Sequence, residues 1–125
     1  MTRIAAALAI AFLLTGMGFG VKEYDVFHDL LHPLEHEAVP KGDFARVRAD
    51  AKELIKRGDA ITKLGVPKGI KAEKIEEFKK HLNDFAAALV KFNSDAESGT
   101  DADLKTSFGA VHDLFEEMAH MLPRK

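Results

Sequence analysis

The chain of 125 residues contains no cysteine. That absence excludes a disulfide framework, a thiolate-ligated zinc site and a cysteine nucleophile. It also excludes covalent haem c, whose attachment needs two thiols. An excess of positive charge is missing too: 18 basic residues face 20 acidic ones, a net of −2. Nothing neutralises phosphates in bulk, so nucleic acid is not an expected partner. No Ser-His-Asp pattern, G-x-S-x-G motif or Gly-rich phosphate loop occurs. Without such machinery no enzyme is expected. What remains is a chain of single-domain length, 46% hydrophobic and 30% charged, with six histidines.

The first residues read as an address. Arg3 supplies a short positive region, and Ile4 to Leu14 is an apolar run of signal-peptide length. Gly18 and Gly20 fit the small-x-small rule, which places cleavage after Gly20. The division is then a signal peptide at 1–20 and a domain at 21–125. The competing reading is an uncleaved anchor, since 4–21 is just long enough to span a membrane. With the signal cleaved, no stable membrane insertion is expected and the location is periplasmic or secreted.

The rest of the chain has helical periodicity and no strand alternation. Ile75, Phe78, Leu82, Phe85, Leu89, Phe92 and Ala96 recur at spacings of three and four within 71–97. Phe44, Val47, Ala51, Leu54, Gly58 and Ile61 keep the rhythm in 43–64. Leu104, Phe108, Val111, Phe115, Met118 and Leu122 keep it in 101–122. Asp43, and Thr100 or Asp101, are N-cap candidates, while breaks fall at 40–43, 65–69 and 98–100. The segment 23–38 carries Phe27, Leu31, Leu34 and Ala38 on one face, but Pro33 interrupts it. Proline removes a backbone donor and disfavours helix at His32, so a kink at 29–33 or two pieces is expected. Four amphipathic helices with short loops predict an all-α, antiparallel up-down-up-down four-helix bundle. Such a bundle brings the first and last helices together.

Five histidines fall on those two helices. His28, His32 and His36 are spaced by four; His112 and His120 are spaced by eight, with Glu116 between. At 100° per residue each set spans about 80° of one face. Imidazoles at i and i+4 can converge on one ion. Antiparallel register puts position 28 near 116–120 and 32 near 112–116. The candidate metal ligands are therefore His28, His32, His36, His112, Glu116 and His120. The central set, His28, His32, His112 and Glu116, offers three nitrogens and one oxygen, which suits zinc, copper or nickel. The plainer alternative is that these histidines cover apolar surface and bond to Asp25, Asp29, Glu35, Glu37, Asp113 or Glu117. His81, among Lys79, Lys80 and Asn83, reads as a solvated surface residue. His28-Asp29 and His112-Asp113, adjacent in sequence, point to different helix faces and are not expected to form dyads by themselves.

Ser107-Phe108-Gly109-Ala110-Val111-His112-Asp113-Leu114-Phe115 resembles the haem-attachment helix of cytochrome c′, a periplasmic four-helix-bundle family. Phe108 and Val111 stand where that family has its two cysteines, and His112 where it has the axial ligand. The resemblance implies a haem site at His112, but without thiols the haem would be non-covalent, with Met118 or a first-helix histidine as second ligand. A diiron site of the hemerythrin kind needs ligands from all four helices, and the second has no histidine.

Three functions follow. The leading one is an exported transition-metal-binding bundle for buffering, sensing or delivery, with the metal ion as partner. The second is a non-covalent haem protein for electron transfer or gas binding. The third is a structural or interaction module without ligand, which could pair as a homodimer through exposed Leu114 and Met121.

Overall fold

A computed structural model describes residues 18–123. Most of the expected signal segment, 1–17, lies outside the described residues. The described residues form helices and no strand: α1 (Lys22–Pro33), a π-helical turn (Leu34–Ala38), α2 (Phe44–Leu64), a 3₁₀ turn (Ala72–Lys74), α3 (Ile75–Ser98) and α4 (Asp101–Met121). None of these helices is long and apolar enough to cross a membrane.

The ends of the helices follow local chemistry. The Asp43 carboxylate accepts from the Arg46 N–H at 3.2 Å and starts α2. Thr100 starts α4 with a capping box: its hydroxyl accepts from the Asp103 N–H while the Asp103 carboxylate accepts from the Thr100 N–H. Two donors that the first turn leaves orphaned are thereby satisfied. Gly65, at φ +75°, ends α2 in a backbone region that glycine enters without a Cβ clash.

The α-helix gives way at Pro33 to a π-helical turn, one of the two outcomes expected, while the chain keeps a right-handed helical course. Pro33 and Leu34 both keep right-handed helical dihedrals. Proline cannot donate to the carbonyl four residues back, and its ring crowds that carbonyl. The backbone responds by changing its hydrogen bonds. The Leu34 N–H turns to the Leu31 carbonyl, and the next turn widens so that the Val39 N–H reaches Leu34 O at 2.9 Å. Such a wide turn absorbs an irregularity without ending the helix. His28 and His32 both precede the irregular turn.

One apolar core holds the helices together. Phe27, Leu31, Leu34, Leu54, Ile61, Phe78, Phe85, Phe92, Leu104, Val111, Phe115 and Met118 are essentially inaccessible. These are the predicted seam positions. Each helix packs on the next in sequence, whereas the backbones of α1 and α4 approach less closely. Rings fill that wider seam. Phe27 lies 4.9 Å from Phe115 and Tyr24 lies 5.7 Å from it, centroid to centroid. Leu114 and Met121, expected to be exposed, are half-buried against the core. The exposed large apolar residues are Val26, Leu64 and Val90.

Candidate functional site

The α1 histidines form a ladder. The His28 and His32 ring centroids are 5.2 Å apart, and His32 stacks on His36 at 4.1 Å. His32 and His36 are exposed, while His28 is half-buried beside Phe115. Burial first, and the neighbouring His32 second, hold the His28 pKa below the ordinary histidine value; Glu116, Asp29 and Asp25 oppose the shift. A neutral imidazole is the form that ligates a metal. Pro33 has therefore not separated the first two rungs.

At its C-terminal end the ladder meets α4 through Glu35. Glu35 Oε1 lies 3.1 Å from His36 Nε2 and 3.4 Å from His112 Nε2. His112 Nε2 also lies 3.9 Å from Glu116 Oε2. On its other side His112 Nδ1 is 3.1 Å from Asp113 Oδ1. This corrects the expectation that adjacent His-Asp residues do not pair, because the short Asp113 side chain reaches round the helix to its neighbour. His112 thus has carboxylates at both ring nitrogens, Asp113 at Nδ1 and Glu35 with Glu116 at Nε2.

The donor atoms thus run as a chain, His36–Glu35–His112–Glu116, across the α1–α4 seam. Two ligands of a tetrahedral zinc ion sit about 3.3 Å apart, given bond lengths near 2.0–2.1 Å. The first two links of the chain match that spacing and the third is longer. Among the described residues no three His, Asp or Glu side chains already surround a common point as a metal requires. Closing the site needs rotation of His36 and Glu116, both at the surface end of the cluster.

The six candidate ligands do not converge as one set. His28 and His36 are eight residues apart, about 12 Å along a helix, and the His32 ring stands between them. His28 belongs to the aromatic end of the ladder and His36 to the carboxylate end. His120 is exposed in the last turn of α4, away from the ladder's contacts. Glu35, which sequence reasoning treated only as a possible histidine partner, is the residue that joins the two helices. A signal for it existed: it is seven residues after His28, two turns along the same face.

His81 is not a solvated surface residue. Its side chain is 18% exposed and lies between Glu77 of its own helix, at 3.5 Å, and Glu117 of α4, at 3.3 Å. The i, i+4 partner was readable; the partner across the helix interface was not. Phe108, Val111 and Met118 are buried in the core. Two shallow hollows, of about 420 and 350 Å³, lie on the α2–α3 face, where Ile55 and Asp59 line both, and neither includes a histidine.

Comparison with protein-family models, curated proteins and solved structures gave no match for the chain.

Proposed function

We propose that the protein is an exported, antiparallel up-down-up-down four-helix bundle that binds a divalent transition metal at the α1–α4 seam. Zinc, copper and nickel are the ions that suit mixed imidazole and carboxylate donors. His112 and Glu35 form the centre, and His36 and Glu116 close on the ion, with His32 adjacent to the group. Buffering, sensing or delivery of the ion is the role, in a periplasmic or secreted setting, without catalysis.

The observation that carries this reading is the approach of Glu35 Oε1 to both His36 and His112, which joins donors of two helices at ligand-like spacing. The Asp113 contact adds to it, since a carboxylate behind a histidine fixes the tautomer and orients the ring, as around metals generally. Titration calorimetry with zinc chloride tests the proposal. About one equivalent should bind, as a single four-donor site implies, and the Glu35→Ala/His112→Ala double variant should not bind. Absence of binding to the unmodified protein overturns the reading, as does unchanged binding to the variant.

A further inference from the structure

The residues just before α1 lie on the histidine ladder. The Phe19 N–H donates to Asp25 Oδ1 at 2.7 Å, which folds the chain back onto the helix. The Phe19 ring then meets His28 edge-on at 5.3 Å and Phe115 edge-on at 5.6 Å. Gly18 makes the fold-back feasible: a Cβ there would collide with the Asp25 carboxylate. Three contacts thus hold one aromatic ring over the inner rung of the ladder. The other rungs, His32 and His36, are exposed and carry no such ring from this segment.

We propose that Phe19 is a removable cover on His28, pinned by Asp25, and that its loss opens the aromatic end of the histidine face to solvent and to ligands. Edge-to-face aromatic pairs are weak beyond the area they bury, so a cover of this kind can be lifted without unfolding the bundle. The peptide bond after Gly20, where the sequence places cleavage, lies between Phe19 and the start of α1. A cut there removes the cover and leaves Val21 onward in place. His28 is then a residue hidden in the uncut chain and offered by the cut one. The bundle thereby acquires a second nitrogen pair, His28 with His32, one end of the ladder away from Glu35.

Carbethoxylation of histidines by diethyl pyrocarbonate, read residue by residue by mass spectrometry, tests the cover. The experiment uses the full chain with Phe19→Ala and, separately, Asp25→Ala. His28 should react severalfold faster in both variants, while His36, His120 and the inter-helix His81 keep their rates. An unchanged His28 rate in both variants overturns the proposal. So does a rise at all six histidines, which would make Phe19 a support of the whole bundle and not a cover on one residue. A parallel zinc titration rests on the metal reading above: Phe19→Ala should then tighten binding or add a weaker second equivalent. If neither protein binds zinc, the metal reading fails, and the His28 reaction rate still decides the cover.

Discussion

Replacing Arg48 by Ala is the perturbation whose cost follows most directly from the structure. The guanidinium closes the α3–α4 corner. Nη1 donates to the carbonyls of Asp95 and Ala96, both at 3.1 Å. Nη2 donates to Gly99 O at 3.0 Å and to Asp101 Oδ1 at 2.9 Å. The last carbonyls of a helix lack intrahelical partners; Asp95 O is already met by the Gly99 N–H at 2.8 Å, so Arg48 is a second donor there, serves Ala96 O and Gly99 O as well, and places a cation at the negative end of α3. Hydrogen bonds from charged donors contribute about 1.5–3 kcal/mol each. Simple addition over three carbonyls overshoots, because one planar group makes them all and water replaces part of them after truncation. The Asp101 arm adds little, since that carboxylate is 65% exposed and exposed pairs give about 0–1 kcal/mol. The expected loss is about 2–4 kcal/mol, or roughly 10–20 °C in Tm for a domain of this size. Arg48→Lys should recover less than half, because an ammonium cannot serve Nη1 and Nη2 targets together. Urea unfolding followed by circular dichroism measures both variants. A loss below about 0.5 kcal/mol for Arg48→Ala, the ordinary range for surface changes, refutes the capping argument, and so does full rescue by lysine.

Three further outcomes are expected. Tyr24 is fully buried and among the described residues its hydroxyl has no hydrogen-bond partner, while burial pushes its pKa well up; an orphaned polar group costs about 1–3 kcal/mol, so Tyr24→Phe should raise the urea midpoint, and a lower one would mean the hydroxyl is satisfied in solution. Gly58 faces α3, where a Cβ would come within 2.8 and 3.0 Å of the Leu89 methyls and 3.2 Å of the Phe27 ring; overpacking of about 1–3 kcal/mol outweighs a helix-propensity gain of about 1 kcal/mol, so Gly58→Ala should destabilise, and a gain in Tm would show that Leu89 moves aside freely. Because the folded pKa of His28 lies below its ordinary 6.5, the unfolded chain binds more protons between the two values; its share of stability is complete above about pH 6.5 and falls as the pH drops through that window. His28→Gln should flatten the stability profile there, and an unaltered slope would assign the acid sensitivity elsewhere.

Helices were legible because burial is periodic. Phe78, Leu82, Phe85, Leu89 and Phe92 repeat at three and four, and one face of α3 is buried. Caps were legible because their chemistry is local: Asp43 and Thr100 act on backbone three residues away. What escaped reading was each feature in which one helix chooses a partner on another. Glu117 is the clearest case, since nothing in the spacing of α3 names the α4 carboxylate that meets His81. Pro33 was legible in part: a division at the proline was expected, the π-helical form of the second piece was not. The rule that proline ends a helix assumes the backbone has no alternative hydrogen bonding, and the Leu34–Ala38 turn supplies one.

That turn bears on the site as well as on the fold. Had the chain stopped at Pro33, neither Glu35 nor His36 would lie along the α1 face, and His112 would have only its own helix for partners. Continuation through a wide turn carries Glu35 to His112 of α4, with His36 beside Glu35. Charge is distributed to match. From Lys22 to Ala38 the chain holds five acidic residues and one basic residue, and α4 holds the same. Helix α2 holds six basic residues against three acidic ones. The near-neutral total therefore conceals two net-negative segments, α1 with its wide turn and α4, which carry five of the six histidines, although Glu37 and Asp101 are paired with arginines of α2. A local field of this kind raises the concentration of cations at the surface within roughly a Debye length, about 8 Å at physiological salt. Histidine spacing alone is equally consistent with a solvated helix face; spacing together with that charge segregation is what favours a metal ion there over an anion or an apolar partner.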